Sequence, residues 1–275
     1  EQILVETRNQ LLILAAGSME QQEMARRLRF RSRADGLRYR EVAFMGLTPE
    51  NRYLLLSYGG EIIAVPPHVA LDAPAGPFHN ISPGQRPGHV NVSQPLEVVY
   101  SMVPIDKSLQ SLSFYVLRFS TPIYDAAGNF QGILVLSLDL TALRDTMSLY
   151  SSPEAPISAG EKTQMLSLFF DQGGWMLFQS EPPGDNGGEK NLRSDSVRAG
   201  FGGDFGRPGF STAFRPGPEH LNYGSMVAEI QAGRPGRLPT SETGTAWNNG
   251  QMQVESVSYA PVTFMPNPEG PRVVV

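Results

Sequence analysis

The chain has 275 residues, enough for one large or two ordinary domains with a substantial core. Apolar residues make up 40% and charged residues 18%, which excludes a disordered chain, and the net charge of −5 argues against a nucleic-acid binder. The absence of cysteine removes disulfides and thiolate chemistry and fits either redox compartment, while 28 glycines and 23 prolines predict long loops.

Residues 1 to about 33 read as one helix, with Leu4, Leu11, Leu12, Ala15, Met19 and Leu28 near helical spacing and only Gly17 to weaken it. Such a helix spans roughly 50 Å, more than one small domain covers, and suits a spine or dimer element. Residues 34–47 read as a second, shorter helix ended before Thr48-Pro49. Arginines at 26, 27, 29, 31, 33, 38 and 40 fall all round the helices, a solvated face offset by Glu20, Glu23 and Glu41.

Residues 53–65 carry a hairpin signal, two apolar runs joined by Gly59-Gly60, and the Pro- and Gly-rich residues 66–97 form a long loop or lid. Two runs rich in β-branched and aromatic residues, from Phe114 to Tyr124 and from Phe130 to Leu140, flank the turn cluster Asp125-Ala-Ala-Gly-Asn129. The second strand stops at Asp139 or Thr141, either able to cap a following helix. Its faces differ: Leu134, Leu136 and Leu138 point one way, and Ile133, Val135, Ser137 and Asp139 the other. The Leu row is expected to pack on the long helix, which leaves Ser137 and Asp139 facing a pocket.

The plan then recurs. Residues 166–178 hold a second Gly-Gly hairpin around Gly173-Gly174, and residues 258–275 repeat the Pro-bearing strand, turn and strand of residues 120–136. Residues 151–160 are the natural linker, and residues 182–198 form a polar, glycine-rich loop. The run Gly200-Phe-Gly-Gly-Asp-Phe-Gly206 lacks both the Lys-Ser/Thr of a P-loop and the spacing of a dinucleotide turn.

Thr121-Pro122-Ile123-Tyr124-Asp125, Gly128, Gly132, Asp139-Leu140 and Leu143 resemble the close of a Cache module, the extracytoplasmic PAS-like fold of bacterial receptors. Val90-Asn-Val-Ser93 ahead of Arg118-Phe-Ser-Thr follows the same family's order. With the duplication, the chain resembles the double Cache sensors of bacterial histidine kinases and related receptors. That resemblance implies an α+β fold: a spine helix and short second helix over residues 1–47, a membrane-distal ligand module over 48–150 and a proximal module over 151–275. It further implies a sensor region with no cofactor, a homodimer through the N-terminal helix, and membrane anchoring by helices before Glu1 and after Val275.

In that family the ligand sits between the first sheet and its lid loops, opposite the long helix. Arg118 and Ser120 share one strand face, and a guanidinium there suits a carboxylate held by two parallel bonds. The structural alternative for Arg118 is a buried ion pair with Asp125 or Asp139; for Asp139 it is a helix N-cap. Ser137 lines the same face, Tyr100, Tyr115 and Tyr58 offer aromatic walls, and His89, with His68 and His79, lies in the lid region. The amino-acid receptors of the family carry a Tyr, Arg-x-Trp-Tyr and late Asp pattern. Here the first module has no Trp and the Asp position falls at Ser137, so a small carboxylate or another small polar or apolar molecule is the better expectation.

An enzyme is disfavoured: the four histidines lack zinc-motif spacing, and no Gly-x-Ser-x-Gly elbow or cysteine nucleophile occurs. The remaining rivals are an adhesion or protein-interaction module, and a sensor that reads a periplasmic binding protein.

Overall fold

A computed structural model of the chain describes residues 1–35, 39–73, 75–78, 86–141, 168–179, 203–218, 221–238, 257–269 and 273–274. It divides into two compact units, residues 1–142 with 264–273, and residues 143–263 with 274–275. The expected linker at 151–160 and the loop at 182–198 lie outside the described residues.

The first unit is built on a seven-stranded antiparallel sheet. Its strands are β1 (Tyr39–Gly46), β2 (Arg52–Tyr58), β3 (Glu61–Val65), β4 (Asn91–Val92), β5 (Leu96–Ile105), β6 (Ser108–Tyr124) and β7 (Phe130–Asp139). The order is β3-β2-β1-β7-β6, with both β4 and β5 paired to β6, so the first and last strands meet at the centre. Residues 39–46, expected to be helical, form β1. Tyr39, Val42 and Phe44 are β-branched or aromatic, and β1 gains ladders on both sides, from β2 and β7. Tertiary pairing overrides a weak helical spacing there.

The expected single N-terminal helix is two: α1 (Gln2–Ala15) and α2 (Gln21–Asp35). The break falls at Gly17-Ser18. Beside it the Arg27 guanidinium of α2 donates to the carbonyls of Ile13 (2.7 Å) and Leu14 (3.1 Å) in the last turn of α1, the latter shared with the Gly17 N–H (3.2 Å). A β-carbon on Gly17 would stand 2.3 Å from the Arg27 Nη1, so a larger residue there requires this flexible guanidinium to shift from its place on the cap. Arg27 therefore does not belong to a solvated face; Arg26, exposed and paired with Glu23, does.

α1 buries Leu4, Thr7, Leu11 and Leu14, one helical stripe, and lies against β6 and β7. That is the side of the sheet holding the buried Leu134, Leu136 and Leu138, as the strand parity predicts. Phe264 adds an edge-on contact to Phe119, 5.8 Å between ring centres. Nearby, the Asn267 side chain both accepts from the N–H of Val90 (2.8 Å) and donates to its carbonyl (2.9 Å). The segment 264–273, read from the sequence as part of the second copy, thus packs in the first unit.

The opposite face of the sheet is covered by α3 (Pro67–Asp72) and the residues just after it. Val69, Ala70, Ala73 and Phe78 share one core with Ala43, Met45, Leu54, Leu56, Val98, Val116, Ile133 and Val135. The β2–β3 hairpin turns on Gly59 and Gly60, both at positive φ (59° and 83°), as a two-residue turn requires.

Gly132 explains its place in the Cache-like motif. It pairs with Gly46 across the β1–β7 ladder at φ 152°, and a β-carbon would stand 2.5 Å from the carbonyl oxygen of Met45. Gly132→Ala is expected to cost about 2–4 kcal/mol, since strain and backbone contact act together. Chemical denaturation of the variant measures it, and a loss below that of an exposed Ala substitution would remove the explanation.

In the second unit a four-stranded antiparallel sheet runs β10-β11-β9-β8. Here β8 is Leu168–Phe170, β9 Met176–Gln179, β10 Gly203–Arg207 and β11 Phe210–Pro216. α4 (Leu221–Gln231) and the short β12–β13 ribbon (Gly236–Leu238 with Val257–Tyr259) follow. Gly203–Gly206, the described part of the glycine-rich run, is strand. The β8–β9 turn is not the two-residue turn its Gly-Gly suggests. It is a five-residue loop in which the Asp171 Oδ1 accepts from the N–H groups of Gly173 and Trp175, both at 2.9 Å. The β6–β7 turn has the same pattern: the Asp125 Oδ1 accepts from Ala127 (2.9 Å) and Asn129 (2.8 Å). Gly128 and Gly174 take the matching positive φ, 84° and 78°. This second hairpin repeats the turn of β6–β7, not that of β2–β3.

Candidate functional site

Strand register places one polar cluster on the face covered by α3. Glu41 of β1 and Arg118 of β6 both stand opposite Ser137 of β7, so three neighbouring strands present them side by side. Tyr100 reaches in from β5. Glu41, Tyr100 and Ser137 have no exposed surface and Arg118 keeps 9%.

The Glu41 carboxylate is the centre. The Arg118 Nε donates to its Oε2 at 3.0 Å and Nη2 to its Oε1 at 3.2 Å, a bidentate pair. The Tyr100 hydroxyl donates to Oε1 at 2.5 Å, and the Ser137 hydroxyl donates to Oε2. Nη2 also lies 3.4 Å from the Tyr100 oxygen, and Nη1 donates to the carbonyl of Ala75, in the covering segment. The backbone of Arg118 is fixed as well. Its N–H donates to Ser93 Oγ (3.0 Å) and its carbonyl accepts from the Ser93 N–H (2.9 Å), which ties the Val-x-Val-Ser stretch to this strand.

Burial works to raise the Glu41 carboxyl, but the Arg118 charge, its hydrogen bonds and those of Ser137 and Tyr100 together hold it below the usual carboxylate value. Burial, reinforced by the Glu41 charge, pushes the Tyr100 phenol well up. The cluster is therefore an ionised pair with a neutral phenol and hydroxyl. Its groups are engaged with one another, and it offers neither a nucleophile nor a proton-transfer group poised near neutrality.

A second pair lies on the same face. The Arg40 Nε donates to the Asp139 Oδ2 at 2.7 Å, Nη1 to the carbonyl of Ser57 at 3.3 Å, and the guanidinium sits 5.4 Å from the Phe114 ring centre. Arg40 occupies the register shift between Tyr39 and Glu41, a bulge that turns it to this side. Asp139 Oδ1 also accepts from the Thr141 N–H (2.9 Å), the cap geometry expected of it. Burial raises the Asp139 carboxyl in spite of Arg40.

The eight sequence-derived candidates thus separate. Arg118, Ser137 and Tyr100 meet in one cluster, and Asp139 is on the same face but bound to Arg40. Ser120 shares the Arg118 face, half-buried, and is not in the cluster. Tyr115 alternates onto the other face, because Phe114 and Val116 already point into the α3-side core. Tyr58 is 37% exposed at the β2–β3 tip, and half-buried His89 donates its backbone N–H to the Arg86 carbonyl without joining the cluster. Arg118 pairs with Glu41 and not with Asp125 or Asp139, so the ground for expecting a carboxylate there, a guanidinium lacking an anion, is removed. A helical reading of residues 34–47 puts Glu41 among helix-face charges. Its signal was legible once β1 is a strand: Glu41 is the acidic residue of an otherwise apolar run with Ala43 and Met45 at period two.

Among the described residues no group of three or more metal-ligating side chains occurs, and no helix is long and apolar enough to cross a membrane. No family model matches the chain, and no curated protein matches it. Among solved structures it is similar to the extracellular domain assigned to a histidine kinase, mmHK1S-Z3, at 14% identity over 94% of this chain and 81% of that one, with a TM-score of 0.47. It is similar too to the extracellular domain of a second such kinase, vpHK1S-Z8, at 11% identity over 86% and 75%, with a TM-score of 0.48. A third neighbour is the periplasmic sensory domain of the Campylobacter jejuni chemoreceptor Tlp1, at 12% identity over 86% and 77%, with a TM-score of 0.42.

Proposed function

We propose that the chain is the extracytoplasmic sensor region of a bacterial transmembrane receptor of the double Cache kind. In this reading a small molecule binds in the first unit, between the sheet and the segment from α3 to Phe78. One observation carries it: that segment lies over the polar-bearing face of the sheet and is tied to it through the Ala75 carbonyl and Arg118. Binding shifts a pre-existing equilibrium between two placements of the segment, and the sheet passes the shift to α1 on its other face. Homodimerisation through the N-terminal helices, anchoring beyond the two ends and a second, proximal module belong to the same proposal.

A competing reading, a surface for a protein partner, has its own support in the exposed apolar Val99 (42%), Met102 (61%) and Leu109 (61%) on the β5–β6 ribbon. Thermal-shift screening of the whole chain against a small-molecule library decides between them. Ligand sensing expects a saturable rise in Tm, since binding to the native state stabilises it by about 2.7 kcal/mol at a hundredfold excess over Kd. A library without a stabilising compound leaves the partner surface as the better reading.

A further inference from the structure

We propose that Glu41 is a built-in occupant of the Arg118 site, and that it excludes anionic ligands from the first unit. This rests on the reading that a ligand enters between the sheet and the covering segment.

The donors of the guanidinium show why. Nε and Nη2 are spent on Glu41, and Nη2 also meets the Tyr100 oxygen. Nη1 alone points out of the sheet, to the Ala75 carbonyl. A ligand that lifts the covering segment gains the Nη1 amino group by offering a neutral acceptor in place of the peptide carbonyl. Its body then meets Val69, Ala73, Phe78, Val98 and Val116, an apolar surface. The charged groups of the described residues on this face that the site uses are two complete pairs, Arg118 with Glu41 and Arg40 with Asp139, so the surface is electrically balanced.

A carboxylate fares badly at either position. Beside Nη1 it brings a second anion to a guanidinium that Glu41 already neutralises, in a site shut off from water. In place of Glu41 it must expel a carboxylate held by Tyr100, Ser137 and Arg118, which has no buried alternative partner among them. Glu41 is thus a specificity-determining residue, acting by occupation.

Thermal melts of the whole chain test this with two matched probe pairs, acetate against acetamide and benzoate against benzamide, at constant ionic strength. The wild type is expected to show no stabilisation by acetate or benzoate beyond that of chloride. Glu41→Ala opens a carboxylate-sized space beside an uncompensated Arg118. Millimolar acetate is expected to refill it, with a saturable rise in Tm of several degrees that acetamide does not reproduce. Glu41→Gln keeps the shape and removes the charge; it is expected to bind benzoate at least tenfold more tightly than the wild type does, and stands in should Glu41→Ala fail to fold. Stabilisation of the wild type by acetate or benzoate overturns the proposal, as does a folded Glu41→Ala indifferent to acetate. A wild type with no neutral ligand in any library, beside a Glu41→Ala rescued by acetate, counts against ligand sensing and leaves the role of Glu41 standing.

Discussion

Arg118→Met is expected to lower the stability of the first unit by about 3–5 kcal/mol at neutral pH, because it leaves the Glu41 carboxylate buried without its cation. The loss should depend on pH with a sign opposite to that of the parent. In the parent, Glu41 is held below its ordinary value of 4.5, so its contribution is complete above that pH and is lost as pH falls through the folded value. Without Arg118 the largest influence on the group, burial, is opposed only by the hydroxyls of Ser137 and Tyr100. The folded value then rises above 4.5, and protonation stabilises the variant as pH falls toward the unfolded value. The gap between parent and variant should narrow from pH 7 to pH 4, measured by urea unfolding at each. A gap of equal size at both would mean that Glu41 is not carrying charge in the folded protein. The double change Arg118→Met with Glu41→Leu should recover much of the loss but not all, since Tyr100 and Ser137 keep their hydroxyls and lose their shared acceptor.

How far the sequence led can be judged on the same residues. Strand parity over Ile133–Asp139 separated the helix-side Leu row from the Ser137 side correctly, because alternation is a property of the backbone that tertiary context does not change. Arg118 and Ser137 are legible for that reason, whereas Tyr100 is one of three aromatics that the sequence offers without a face. The carboxylate that joins them is not legible, because residues 34–47 read as helix and Glu41 is thereby counted among helix-face charges. A strand's pairing is non-local: β1 is a strand because β2 and β7 flank it, the latter from almost a hundred residues away. The N-terminal break was half legible, in Gly17, but its cap comes from Arg27, a contact made only when α2 folds back. The same alternation puts Tyr115 on the other face from Phe114 and Val116.

Asp171→Ala is expected to cost the second unit about 3–5 kcal/mol, while the same change at Asp125 in the matching turn costs much less. Both side chains hold their loops by accepting from two backbone N–H groups, and both turns close with a glycine at positive φ. Their surroundings differ. Asp125 is exposed, and water replaces what the turn loses. Asp171 is 4% exposed and accepts at 2.7 Å from the Arg207 Nε, whose guanidinium is flanked by the Phe210 ring at 5.5 Å. Removing the carboxylate takes the counter-charge from a buried guanidinium that keeps the Pro208 carbonyl as a neutral acceptor, the costly way to break such a pair. Asp171→Asn should fall between the two, since its carbonyl oxygen can still accept from Gly173 and Trp175 but gives Arg207 no charge. Hydrogen exchange in β8–β11 reads the effect locally, with the first unit as an internal control. Equal losses at Asp125 and Asp171 would show that the turn bonds, and not the ion pair, carry the energy. The two hairpins would then be alike in energetics as well as in form.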